Sequence, residues 1–239
     1  MELKRRVWPE FTSALTRSEA ILVLAYLPVH LLLLPWLFNL MNERGLLTPV
    51  WANVLYYAIG FLYMLAAAFG FLRRDFDPLV ERPFFVLAQV FGGYVTMLAC
   101  NILVSTLISR VSGGAAENAN NAGVQELVDV GFGPMKAALV YLGPLTEEML
   151  FRAGIFGTLR RKNRALAYGL SALLFSLYHV WGYAVDDPSY WIFLLQYLPA
   201  GLLLARCYER TNSIWGSTFF HMLTNALALS LYQEIMKQM

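Results

Sequence analysis

Long apolar stretches, broken at three places by clusters of polar residues, constrain this chain more than any other feature. The clusters are Glu147-Glu148-Met149-Leu150-Phe151-Arg152, Phe175-Ser176-Leu177-Tyr178-His179 and His221-Met222-Leu223-Thr224-Asn225. An ionised residue at the centre of a membrane helix costs roughly 2.5 to 3.5 kcal/mol on insertion scales. A chain that places several such groups in separate apolar segments is expected to use them together.

Seven segments are long enough to cross a hydrocarbon core of ~30 Å. They run Glu19–Met41, Thr48–Leu72, Pro83–Ser109, Pro134–Leu159, Ala165–Val185, Tyr190–Ala205 and Ile214–Tyr232. Composition agrees: of 239 residues, 58% are apolar and only 14% charged, against about 25% charged in a soluble domain. The expected fold is therefore all-α, a polytopic membrane helix bundle forming one transmembrane domain over 1–239. No basic run suggests nucleic acid, and the lipid bilayer is the expected surrounding. Cys100 and Cys207 have neither disulfide nor metal-site spacing and read as packing residues. Leu3-Lys4-Arg5-Arg6 precedes an apolar stretch too long for a signal-peptide core, so no cleavable signal is expected.

The one long connector, Arg110–Gly133, is rich in Gly, Asn and Ala. Gln125–Val130 within it could form a short interfacial helix, with Glu117, Glu126 and Asp129 solvated. Pro28, Pro35, Pro144 and Pro199 lie inside segments and predict kinks. The kink near Pro144 would open the helix just before Glu147. Trp36, Trp51, Trp181 and Trp191 sit near segment ends, as an interfacial belt requires, and Asp186-Asp187-Pro188-Ser189 reads as a turn.

Basic residues set the expected orientation. With the N-terminus in the cytoplasm, thirteen Lys and Arg fall on the inner side and four on the outer, with Arg152 left inside a helix. Distances along ideal helices from the flanking basic residues then put Glu147, His179 and His221 at similar depth, roughly 17 to 22 Å from the cytoplasmic end.

Helix geometry sorts the polar groups. Residues four apart share a face, so Glu148 and Arg152 can pair and neutralise one another. Glu147 projects about 100° away and is free to serve as a general base toward water. Burial of Arg152 alone would need only one glutamate. His179 shares a face with Phe175; by itself it could be a helix–helix hydrogen bond. His221 and Asn225 are co-facial, an imidazole and an amide suited to stabilise an oxyanion, or, read alone, an interhelical clamp. His30, between Pro28 and Pro35, reads as structural. Gln196 and Tyr197 could line a cavity, although packing is the plainer reading.

The ordered set Glu-Glu-x-x-x-Arg, Phe-x-x-x-His and His-x-x-x-Asn resembles the CPBP family of intramembrane proteases. That family comprises type II CAAX prenyl endopeptidases, bacteriocin-processing enzymes and Abi proteins. The likeness covers about Pro134 to Tyr232, the expected catalytic core at 134–232. It implies an endopeptidase acting on a membrane-associated protein or peptide. Glu147 with His179 would activate water, His221 and Asn225 would hold the oxyanion, and Glu148, Arg152 and Phe175 would complete and shape the site. The sequence requires no cofactor; two histidines and a glutamate are also a known zinc ligand set, so metal dependence stays open. The family is usually described with eight helices, against seven counted here, unless the connector hides one. Two other classes remain: a non-catalytic immunity or scaffold protein, and a small proton-coupled transporter.

Overall fold

The computed structural model describes residues 10–114 and 117–238; the Leu3-Lys4-Arg5-Arg6 stretch lies outside them. Among the described residues every regular element is helical and there is no strand. Five helices are long and apolar enough to cross a membrane: α1 (Arg17–Glu43), α2 (Pro49–Arg74), α3 (Pro83–Val111), α6 (Arg164–Asp186) and α7 (Pro188–Thr211). Between α3 and α6 lie α4 (Ala119–Val130) and the continuous helical run α5 (132–160). The last helix is α8 (Ile214–Gln238). The two remaining expected spans are thus helices as well. They are less apolar than the other five because α5 holds Lys136, Glu147, Glu148, Arg152 and Arg160, and α8 holds His221 and Asn225.

The helix ends follow from local chemistry. Thr16 and Glu19 form a reciprocal capping box at the start of α1. Thr48 caps α2 with Pro49 in its first turn, and the Asn163 side chain accepts from Leu166 N at the start of α6. Asp187 accepts from Ser189 N and makes the expected turn between α6 and α7. Asn212 adopts the left-handed conformation (φ 54°) that ends α7.

α5 is the hub. Every residue from 143 to 157 on it is buried, enclosed by α1, α2, α6 and α8. Protein, rather than lipid, surrounds the Glu-Glu motif, so its charges find partners instead of hydrocarbon. Small residues permit the close crossings that membrane helices favour. A Cβ built on Gly60 would stand 2.7 Å from Thr146 Cγ2, and one on Gly201 would stand 2.8 Å from Ala172 Cα. α3, by contrast, is largely exposed along its apolar length, which fits a lipid-facing helix. Trp36, Trp51, Trp181 and Trp191 are exposed.

The expected kinks take a specific form. A π-helical turn (Val29–Leu33) lies between Pro28 and Pro35, and α5 is π-helical at Ala138–Leu142 and again at Met149–Phe156. The two π segments bracket the α-helical stretch that carries Pro144, Glu147 and Glu148. Such insertions recur at functional sites because they rotate the following side chains and release carbonyls. α2 also bends at Ala68 (φ −134°, ψ 26°), without a proline. The connector holds a longer helix than expected: α4 starts six residues before Gln125, capped by Asn118, which accepts from Asn120 N and Asn121 N.

Candidate active site

Three helices bring the predicted residues together. α5 supplies Glu147, Glu148 and Arg152, α6 supplies Phe175 and His179, and α8 supplies His221 and Asn225. Glu147, His179, His221 and Asn225 all line one cavity of about 300 Å³, with Tyr57 and Tyr197 completing its wall. The wall opposite is α4, through Asn120, Asn121 and Val124. A second cavity, about 500 Å³, shares Tyr57 and His179 with the first and extends toward Asn39, Asn42 and Asn53.

The two adjacent glutamates take different partners, as the helical offset requires. Glu148 is fully buried; its Oε2 lies 3.3 Å from Arg152 Nε and its Oε1 3.0 Å from His221 Nδ1. The Arg152 contact is an ion pair rather than an aligned hydrogen bond, because neither Glu148 Oε2 nor Arg152 Nε meets hydrogen-bond geometry. Arg152 also donates from Nη2 to Gly201 O at 3.4 Å and lies over the Phe175 ring. Its charge is therefore spread over a carboxylate, a carbonyl and a π face. The bond from His221 to Glu148 is a link the sequence did not reveal.

Glu147 points the other way. Its Oε2 lies 3.9 Å from His179 Nε2 and 3.8 Å from His221 Nε2, and has no hydrogen-bond partner among the described residues. Both histidine tautomers follow from their second nitrogens. His179 Nδ1 is 2.8 Å from the Phe175 carbonyl, which can only accept. His221 Nδ1 faces the Glu148 carboxylate, also an acceptor. Each Nδ1 therefore carries a proton, and in the neutral ring each Nε2 presents a lone pair to Glu147. Three acceptors facing one space call for a shared donor. Asn225 gives one N–H to Leu139 O at 2.8 Å, a carbonyl in the first π turn of α5. Its second amide hydrogen is left for the cavity that it lines.

Zinc suits these donors by type. Their arrangement does not make a ready cage: among the described residues no group of three or more His, Cys, Asp or Glu is placed to hold a metal ion.

Tyr197 was named in the sequence only as a possible cavity residue; the structure puts it against His179, with ring centroids 4.5 Å apart. Tyr57 had no sequence signal beyond lying in an apolar span. His30 is structural as expected: it is buried, stacks on Tyr56 and is bonded through Nε2 to the Tyr56 hydroxyl at 2.8 Å.

Comparison with known proteins bears on the stretch that carries these residues. Residues 131–227 match the family described as type II CAAX prenyl endopeptidase Rce1-like, and that stretch contains all three polar motifs. The chain is 27% identical over 167 residues to the UPF0177 protein YxdF of Lactococcus lactis subsp. lactis (strain IL1403), covering 69% of this chain and 85% of that protein. It is 33% identical over 94 residues to a Bacillus subtilis (strain 168) protein named "Putative membrane peptidase YdiL", covering 39% of this chain and 35% of that one. No solved structure matches significantly. Five membrane-capable helices and these relatives make it an integral membrane protein. Over residues 131–227 the chain is thus similar to the Rce1-like type II CAAX prenyl endopeptidases.

Proposed function

We propose that this protein is an intramembrane endopeptidase that hydrolyses a peptide bond in a membrane-associated protein or peptide, with its N-terminus in the cytoplasm and its catalytic core at 134–232. The observation that carries the reading is the Glu147 carboxylate, held without a hydrogen-bond partner between two imidazole lone pairs in a cavity.

A water between Glu147 Oε2 and His179 Nε2 would give one hydrogen to each, at ~2.8 Å. Its remaining lone pair is then free to attack a carbonyl carbon in the cavity. Glu147 takes the proton as the carbon–oxygen bond forms, acting as general base. The carbonyl oxygen gains the electron pair and becomes the oxyanion. Asn225 offers it the amide hydrogen not used by Leu139. The sequence reading gave His221 the same task, but its Nε2 is an acceptor while neutral, so it can donate to the oxyanion only as the imidazolium. Glu148, bonded to His221 Nδ1, stabilises that form. Collapse breaks the carbon–nitrogen bond, and the proton held by Glu147 passes to the leaving amine. The products are a carboxylic acid and a free amine. Arg152 and Phe175 act one step back, by holding Glu148. The larger cavity, which meets the site at His179 and Tyr57, supplies a polar path for water.

The test is a comparison of protein termini in membranes that carry the wild type or Glu147→Gln at equal abundance. New N- and C-termini that need the intact glutamate support the reading. Identical termini in both membranes, with the protein folded, would leave the scaffold class in its place.

A further inference from the structure

α4 packs across the site cavity, and one side chain ties it to the catalytic cluster. Tyr197 on α7 has two faces of contact. Its ring stacks on the His179 imidazole, centroids 4.5 Å apart and planes 20° from parallel. Its hydroxyl reaches three asparagines at the start of α4, across 76 to 79 residues of sequence. The oxygen accepts from Asn118 Nδ2 at 3.2 Å and from Asn120 Nδ2 at 3.0 Å, and its hydrogen is offered to Asn121 Oδ1 at 3.2 Å and Asn118 Oδ1 at 3.4 Å. A phenol has one donor and two acceptor positions, so this one is saturated. Asn118 Nδ2 also donates to Gln196 Oε1 at 2.7 Å, which ties the same cap to α7 a second time.

The cluster does more than pack. Asn118 is the N-cap of α4, so its Oδ1 both starts that helix and meets Tyr197. Asn120 and Asn121 then face the cavity. Upstream, Gly113 and Gly114 take φ of +66° and +81°, left-handed turns that glycine adopts freely. At the far end, α4 is fastened by the exposed Tyr232 hydroxyl on Asp129. The helix is thus a short, half-exposed strap, held by hydrogen bonds near its two ends and by Val124, Leu127 and Val128, which pack in a small apolar cluster with Val50 and Leu229.

The imidazole also depends on Tyr197. His179 has one side-chain hydrogen bond, from Nδ1 to Phe175 O, which permits rotation of the ring about that axis. Phe175 and Tyr178 meet the ring tilted and edge-on. Tyr197 is the near-parallel surface against it, and so fixes the plane that aims Nε2 at Glu147.

We propose that Tyr197 is a positioning residue for His179 and, through its hydroxyl, the catch that fastens α4 over the site, so that one side chain serves both the wall and the imidazole. The positioning half rests on the peptidase reading; the catch does not.

Two changes separate the halves. Tyr197→Phe keeps the stack and removes the catch, and Tyr197→Leu removes both. Asn118→Ala opens the catch from the other side and leaves Tyr197 intact. Hydrogen exchange of the amides at 118–130, measured on the full-length detergent-solubilised protein, reads the catch without any turnover. Loss of the hydroxyl bonds should speed it roughly fivefold or more in Tyr197→Phe and in Asn118→Ala. Exchange at the wild-type rate in Tyr197→Phe overturns the catch, since Asn118→Ala also removes the helix cap. Kinetics on a peptide cleaved by the wild type reads the positioning. Tyr197→Phe should raise KM with kcat nearly kept, whereas Tyr197→Leu should also lower kcat by roughly tenfold or more, since small misplacements of a catalytic group are costly. Equal kcat in the Phe and Leu variants overturns the positioning role. A wild type that cleaves no peptide overturns the peptidase reading and, with it, the positioning half, while the exchange result still decides the catch.

Discussion

The Arg152 guanidinium lies over the face of Phe175, its central carbon 4.2 Å from the ring centroid. This gives the phenylalanine of the second motif a physical task. A fully buried cation needs more than one partner, because a single carboxylate leaves most of its donors unmet. Phe175 supplies a negative π face, worth up to ~2 kcal/mol when desolvated, and also stands edge-on to Phe151. The Glu-Glu and Phe-His motifs are therefore one packed unit.

Arg152→Ala should destabilise the protein by ~3–5 kcal/mol, since it leaves Glu148 buried without its cation. The double variant Glu148→Gln with Arg152→Gln should recover part of that loss, because the amide oxygen can still accept from His221 Nδ1. Melting temperatures in detergent for the wild type and both variants check this. An Arg152→Ala protein as stable as the wild type would show that the pair contributes nothing.

Glu147→Gln should behave in the opposite way. The carboxylate oxygen that faces the histidines has no hydrogen bond to lose, so the melting temperature should hold or rise. Peptide cleavage should fall by ~10²- to 10⁴-fold, the usual contribution of a general base. Near wild-type turnover in this variant, with Glu148→Gln inactive and folded, would reverse the two roles.

Much of this was legible in the sequence because the relevant signals are local. The Glu148–Arg152 pairing and the separate direction of Glu147 follow from helical spacing alone. The cost of charge in an apolar segment was reason enough to expect Glu147, His179, His221 and Asn225 in one place. What was missed depends on contacts between distant segments. Phe11 and Ser13, before α1, pack on Tyr208, nearly the length of the chain away. Tyr197 looked like any aromatic in a span until α4 met it. The start of α4 was hidden because Ala119-Asn120-Asn121-Ala122-Gly123 has no apolar period; a side-chain cap, not a buried face, begins that helix. The second π segment of α5, Met149–Phe156, has no proline to announce it.

Gly201 offers a purely steric test of how α6 and α7 hold the site. A Cβ there would stand 2.8 Å from Ala172 Cα and 3.2 Å from Ala172 O, backbone that cannot swing aside. Gly201→Ala should force the helices apart, cost ~1–3 kcal/mol and draw the Gly201 carbonyl away from Arg152. Gly169→Ala on the exposed side of α6, where a Cβ meets nothing within 4 Å, should instead stabilise by ~0.5–1 kcal/mol. Loss of stability in both variants, by similar amounts, would mean the crossing is not the cause.

Asp75 gives a test by pH. It follows α2, outside the membrane-spanning segments, and is 5% exposed. Its carboxylate accepts from Ile214 N, the first amide of α8, and its carbonyl accepts from Ser213 Oγ at 2.6 Å. It thereby anchors the helix that carries His221 and Asn225. Burial pushes the carboxyl up to about 6, against the pull of hydrogen bonds from Ser13 and Ile214 and the charge of Arg74. The folded protein therefore holds this proton more tightly than the unfolded chain does. The stability this contributes is complete below the ordinary carboxylate range, near pH 4, and is lost as the pH rises through about 6. Asp75→Asn keeps an oxygen for the Ile214 amide but cannot ionise. The melting temperature of Asp75→Asn relative to the wild type should therefore climb between about pH 4.5 and pH 7.5, with every other titrating group common to both proteins. A difference that stays constant across that range would show that the Asp75 carboxyl titrates no differently in the folded and unfolded states.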